Sequence, residues 1–175
     1  MSETHASTAF AGLLALAGVV LPFAAAPALA QTPMLISEER DWKAISADAQ
    51  RGKTCYAISK PTKMEPSTLN HGDLFFFIST RPADKVANEP SLQVGYNLKE
   101  GTPVIAEIDG AKFTMFARAD GAWLQNAADE PKLVAALRTG RSLIVNGTSG
   151  RGNATKYTFS LAGVSAALEA VSKKI

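Results

Sequence analysis

The stretch Pro103-Val-Ile-Ala-Glu-Ile108, Asp109-Gly110, Ala111-Lys-Phe-Thr-Met-Phe-Ala-Arg118 decides the fold. Two runs of alternating apolar and polar residues flank an Asp-Gly pair. Side chains in a strand alternate between faces, so each run has one side for a core and one for water. A two-residue turn that matches the twist of its strands needs positive φ at both central positions, and Asp-Gly tolerates this. The stretch reads as an antiparallel β-hairpin.

Working outward, most of the chain from Gln31 reads as short strands broken by turn chemistry. Asp41 to Ile45 and Thr54 to Ser59 are strand candidates, the second stopped by Pro61. Leu74 to Thr80 is a third, stopped by Pro82, and Leu92 to Leu98 alternates strictly before the turn Lys99-Glu100-Gly101. Ser142 to Asn146 and Thr155 to Leu161 flank the glycine-rich loop Gly147 to Ala154 and predict another hairpin, with the loop long and exposed. Two helices interrupt the series. Asp129 caps the first, Pro131 sits in its first turn where a missing N–H costs nothing, and Gly140 ends it. Leu133, Val134 and Leu137 form its apolar face. In the second, from about Gly163 to Lys173, Val164, Ala167, Leu168 and Val171 recur at helical spacing as one stripe. Many strands and few helices predict a mainly β fold, an antiparallel sandwich.

The first thirty residues read differently. Phe10 to Leu29 is an almost unbroken apolar run ending in Ala28-Leu29-Ala30 before the polar Gln31, the small-x-small pattern of a signal-peptidase site. Pro22 and Pro27 fall where the helix should give way to an extended segment. Met1 to Ala9 holds Glu3 and His5 but no Lys or Arg, unlike an ordinary export signal. The expectation is a cleavable signal over residues 1–30, cut between Ala30 and Gln31, and a single domain over 31–175. An uncleaved membrane anchor is the alternative, since the run is about long enough to span a bilayer. The chain from Gln31 has no second stretch of that length, so no transmembrane segment is expected after removal.

Composition excludes several function classes. The net charge is +2, one unit more positive once Glu3 leaves, and the cations are scattered. Nucleic acid is not expected as a partner, because that calls for a basic stripe or cluster. From Gln31 on there is one histidine, His71, and one cysteine, Cys55, so a zinc-type ligand set is missing and no metal or cofactor is expected. His71-Gly72-Asp73 reads as turn composition. A lone thiol in an exported chain is either buried and inert or engaged with another molecule, and the apolar setting of Cys55 favours burial.

The glycine-rich loop fails two motif tests. Gly147 and Gly152 have P-loop spacing, but Asn153 and Ala154 stand where Lys and Ser/Thr are required. As a nucleophile elbow it lacks the glycine frame and lies between strands, not on a strand-to-helix turn. A hydrolase would need Ser149 and His71 within about 2.6–3.2 Å of each other. In Leu74-Phe-Phe-Phe-Ile78, Phe75 and Phe77 point one way while Leu74, Phe76 and Ile78 point the other. Both faces are apolar. Either a helix covers the second face or it is presented to a partner. The candidate interaction residues are Phe76, Ser149 and Arg151. Trp42 and Trp123 read as core or rim residues.

Several of these segments occur in a specific order. Asp41-Trp42, Cys55 to Pro61, Ser79 to Pro82, Val94-Gly-Tyr96, Glu107 to Gly110 with Phe113, Gly121-Ala-Trp123, and Gly147 to Gly152 with Phe159-Ser-Leu161 form one series. That series resembles the invasion-associated locus B family of exported bacterial proteins, over about Asp41 to Val171. The resemblance implies an immunoglobulin-like β-sandwich at the periplasm or envelope, secreted or held at the outer membrane, with some relatives linked to host-cell invasion. It implies no reaction and no catalytic residues. Relatives often carry a cysteine in the last helix, whereas this chain ends Ser172-Lys-Lys-Ile175. If that cysteine bridges to the counterpart of Cys55, the bridge is lost here. The expected function is a non-enzymatic binding or interaction module for an unknown protein or envelope component. The alternative is a stress-protective or chaperone-like envelope protein.

Overall fold

The structure, a computed structural model, describes residues 32–49 and 52–175. The proposed signal and its cleavage point, Ala30 and Gln31, lie outside the described residues.

The Asp109-Gly110 hairpin forms as its sequence dictates. Strands β7 (Val104–Ile108) and β8 (Ala111–Arg118) pair antiparallel from Val104↔Met115 to Ile108↔Ala111. The φ angles of Asp109 and Gly110 are 48° and 87°, as the primed turn requires. The remaining strands are β1 (Met34–Glu39), β2 (Trp42–Ala49), β3 (Gly52–Ser59), β4 (Lys63–Glu65), β5 (Phe75–Arg81), β6 (Val86–Gln93), β9 (Gly121–Leu124), β10 (Ser142–Thr148) and β11 (Ala154–Ser160). All eleven join one antiparallel sheet in the order β1-β2-β3-β5-β6-β9-β8-β7-β10-β11-β4.

The sheet is one ladder folded over on itself, which makes the two layers of the expected sandwich. Phe76 on β5 meets Phe159 on β11 with ring centroids 5.8 Å apart. Trp42 Nε1–H at the start of β2 donates to the Ser160 carbonyl at 2.9 Å. Between the layers lies a core that includes Trp42, Phe76, Ile78, Leu92, Met115, Leu143, Tyr157 and Phe159, each within 1% of full burial. Burying side chains of this size contributes about 1.5–3 kcal/mol apiece before conformational entropy is counted.

Two helices complete the core. In α1 (Glu130–Thr139) Leu133, Val134 and Leu137 are buried, and in α2 (Val164–Lys174) Val164, Ala167, Leu168 and Val171 are. The helix α2 packs on β1, β2 and β3, and α1 packs on β6. Asp129 stands at the N-cap of α1, but its carboxylate makes no capping bond and instead takes the Lys132 ammonium at 2.7 Å. The preceding 3₁₀ turn has its own cap, with Asn126 Oδ1 accepting from the Ala128 N–H.

Two sequence expectations shift. The strand placed over Leu92 to Leu98 lies instead over Val86–Gln93. Leu92, Val94 and Leu98 are all buried, so the alternation reports the core correctly. After Gln93 the chain leaves the ladder, and Val94 N–H donates to the Asp120 carbonyl across a loop. Pro90 is accommodated inside β6 because β9 pairs only Ser91 to Gln93, so Pro90 has a ladder neighbour on one side alone. Strands β1, β4 and β9 have no counterpart in the strand reading. They are short or mixed in pattern: β1 and β9 close local hairpins with β2 and β8, and β4 takes its hydrogen bonds from β11, far along the chain.

Cys55 is fully buried and free on β3. Burial pushes its thiol pKa up, against the opposing field of Lys53 and Lys174. Lys53 Nζ donates to the Lys174 carbonyl at 3.5 Å, so the end of α2 lies over the thiol's strand even though no cysteine is present there.

Candidate functional site

Two surfaces carry the residues singled out in the sequence, and they are built differently. The first is the outer face of β3, β5, β6, β9 and β8. Strand parity sends Phe76 and Ile78 inward and leaves Phe75 and Phe77 half-buried on the outside. The register then aligns a row across the sheet, Ile58↔Phe77, Phe77↔Ser91, Ser91↔Trp123 and Trp123↔Phe116. Tyr56 stands 5.6 Å and Phe75 6.0 Å from Phe77 between ring centroids, and Phe116 stands 6.0 Å from Trp123. Phe116 is 46% exposed. The Lys60 ammonium lies 5.1 Å above the Phe75 ring, within cation–π range.

This corrects two expectations. Phe76 is a core residue with no exposed surface, so it cannot be an interaction residue. Its neighbours Phe75 and Phe77 have that position instead. The apolar stripes of both helices enter the shared core, and the outer face keeps Phe75 and Phe77 only half-buried.

The second surface is a polar cleft of about 750 Å³ where the loop after β6 meets the β10–β11 loop. Its lining includes Asn70, His71, Tyr96, Asn97, Ser149 and Arg151. Ser149 and Arg151, named from sequence, do come together here. The β10–β11 loop is shorter and better held than its glycine content suggests. The strands pair as far as Thr148↔Ala154, the Gly150 N–H donates to the Asn97 carbonyl at 2.7 Å, and the Lys99 N–H donates to the Thr148 carbonyl at 2.8 Å. Gly95 is needed on the opposite wall. A Cβ there would stand 2.6 Å from Gly72 Cα and 2.8 Å from the His71 carbonyl, too close for any larger residue.

Behind the cleft runs a chain of side-chain hydrogen bonds. His71, 5% exposed, places Nε2 2.9 Å from the Pro66 carbonyl and Nδ1 3.0 Å from the Tyr157 hydroxyl. A carbonyl only accepts, so Nε2 carries a proton. The Tyr157 hydroxyl bonds to that of Tyr96, which donates to Thr155 Oγ1 at 3.1 Å. Burial and the bond to Tyr96 push the Tyr157 pKa up.

This geometry answers the hydrolase test. Both ring nitrogens of His71 are engaged, and Ser149 Oγ accepts from the Asn153 N–H at 3.1 Å. The two side chains share a cleft but are not hydrogen-bonded as nucleophile and base. The signal missed in sequence is the buried chain itself. His71 and Tyr157 are 86 positions apart, and local composition around His71 is that of a turn. Among the described residues no group of three or more His, Cys, Asp or Glu is placed to hold a metal ion, and no helix is long and apolar enough to cross a membrane.

A folded antiparallel sheet closed by two helices, with an aromatic outer face and a polar cleft at one rim, defines a mainly β protein. A profile of the invasion associated locus B (IalB) proteins matches residues 42–172, and the chain belongs to that family. The crystal structure of invasion associated protein B from Bartonella henselae is similar to this one, with a TM-score of 0.57 at 17% identity. The match covers 81% of this chain and 97% of that one. At that identity the likeness speaks for the fold alone. A search of the curated proteins found no match.

Proposed function

We propose that this protein is an exported, non-enzymatic binding module of the bacterial envelope, cut between Ala30 and Gln31 and acting in the periplasm or outside the cell. It engages a protein or envelope component through the aromatic outer face. One observation carries the reading: the row Phe77, Trp123, Phe116 lies on the outside of the sheet, where the register gathers it from three strands. The rings form two groups, Tyr56, Phe75 and Phe77 on one side of Ser91 and Trp123 and Phe116 on the other, and exposed aromatic surface of this kind marks interaction sites in soluble proteins. The family's link to invasion is consistent with a partner outside the cell or in its envelope.

The test is crosslinking in the native envelope from a photoreactive residue at position 116, followed by identification of the adduct. The expected result is one dominant adduct that is lost when Phe77 is replaced by Ser. Recovery of many unrelated exported proteins would favour the stress-protective reading of the same face. An adduct indifferent to Phe77→Ser would remove the face from consideration. Intact mass of the exported protein checks the cleavage: a chain beginning at Gln31 is expected, and a retained Met1 overturns it.

A further inference from the structure

The polar cleft has no part in that reading and carries a separate one. Its side chains divide unevenly between donors and acceptors. The lining holds no Asp or Glu, while Arg151 brings a full positive charge. Arg151 makes no ion pair among the described residues, so its five N–H donors face the cleft or solvent. Ser149 Oγ accepts from the Asn153 N–H and keeps its own proton to give. Thr155 Oγ1, only 5% exposed on the cleft floor, is tied to Tyr96 and belongs to the buried chain. Asn97 adds a carboxamide at the mouth. A surplus of donors with one guanidinium and no competing carboxylate matches an acceptor-rich anion, and the planar guanidinium fork matches a carboxylate best.

The cleft is also pre-formed. Backbone hydrogen bonds tie its two loops together at 97–99 and 148–150, and the Gly72–Gly95 approach closes the wall without side chains in the way. The buried chain from His71 through Tyr157 and Tyr96 to Thr155 holds the floor's polar groups in place, so little ordering is needed when a ligand enters. A cleft of about 750 Å³ is in the range of small-ligand sites.

We infer that the cleft is a binding site for a small, polar, carboxylate-bearing molecule, with Arg151 pairing to the carboxylate and Ser149 donating to one of its acceptors. The carboxylate has two sources in an envelope, the end of a peptide and an acidic sugar. The experiment separates them. The purified protein is titrated with N-acetylalanine, with galacturonate, with the neutral N-acetylalaninamide and with inorganic phosphate, following backbone amide shifts of Asn97, Gly150 and Arg151 by NMR. The expected result is saturable binding of one carboxylate, at least tenfold weaker for Arg151→Ala and partly restored in Arg151→Lys. Tenfold corresponds to about 1.4 kcal/mol. Tyr96→Phe, which breaks the hydrogen-bond chain under the cleft floor, should weaken the same carboxylate by a smaller factor with the Arg151 response intact. N-acetylalanine binding assigns a peptide end, and galacturonate binding assigns a sugar acid. Equal binding of the neutral amide, binding of phosphate alone, or no response to any carboxylate overturns the assignment.

Discussion

The two outer faces of the folded sheet share one ladder and one core but differ in what they show to water. Outside β3, β5, β9 and β8 stand Tyr56, Phe75, Phe77, Trp123 and Phe116. Outside β7, β10, β11 and β4 charged and polar side chains predominate, with Ile105 and Ile144 half-buried among them. Lys112 reaches Glu107 at 3.9 Å, and Glu65 takes Lys63 at 3.0 Å and Lys156 at 3.7 Å, which holds its carboxyl below the usual range. Both faces border the same core, so stability places no demand for rings on the first. The contrast is one of surface chemistry over a shared core, and the proposed partner contact rests on it.

Four substitutions break or sharpen that contrast. The largest effect is expected beneath the aromatic face. Phe76→Ser removes a fully buried ring and leaves a hydroxyl against Phe159, which should cost about 3–5 kcal/mol by urea unfolding. A loss under about 1 kcal/mol would mean the inward and outward sides are misassigned. At the rim, Gly95→Ala forces a methyl against Gly72 Cα and should cost about 1–3 kcal/mol in the same assay. It should also shift the amide signals of the cleft while leaving those around Trp123 in place.

One residue from Phe76, Phe77→Ser is expected to cost about 1 kcal/mol, since the ring is already half in water. Crosslinking through position 116 should nevertheless disappear. A loss equal to that of Phe76→Ser would erase the distinction between the sides. The smallest effect belongs to the polar face. Lys112→Ala breaks an exposed pair and should change stability by no more than about 1 kcal/mol, with the difference fading as salt is raised. A larger, salt-independent loss would show that this face carries structural weight that the ion pair does not explain.

Local pattern and local turn chemistry made much of the fold legible. The Asp109-Gly110 hairpin, the paired strands around the glycine-rich loop, both helices and the burial of Cys55 follow from residues close together in the chain, because periodicity and positive-φ tolerance are properties of a few neighbouring positions. The alternating parity of Leu74 to Ile78 was legible too, but which parity faces the core was not. That choice depends on Phe159, 83 positions from Phe76, folding back against one side. Strand β4 could be recognised only from β11, its distant partner, whereas β1 and β9 are local hairpin strands whose short or mixed patterns hide them.

The candidate sites divide in the same way. Ser149 and Arg151 were visible as an unusual loop, and the series of motifs placed the chain in its family. Tertiary structure alone decided that Phe76 lies inside, that Phe77 shares a row with Trp123 and Phe116, and that His71 sits behind Ser149 bonded to Tyr157. A sequence states each residue's own preferences, whereas a surface or a hydrogen-bond chain is a relation between residues that only the closed sheet brings into contact.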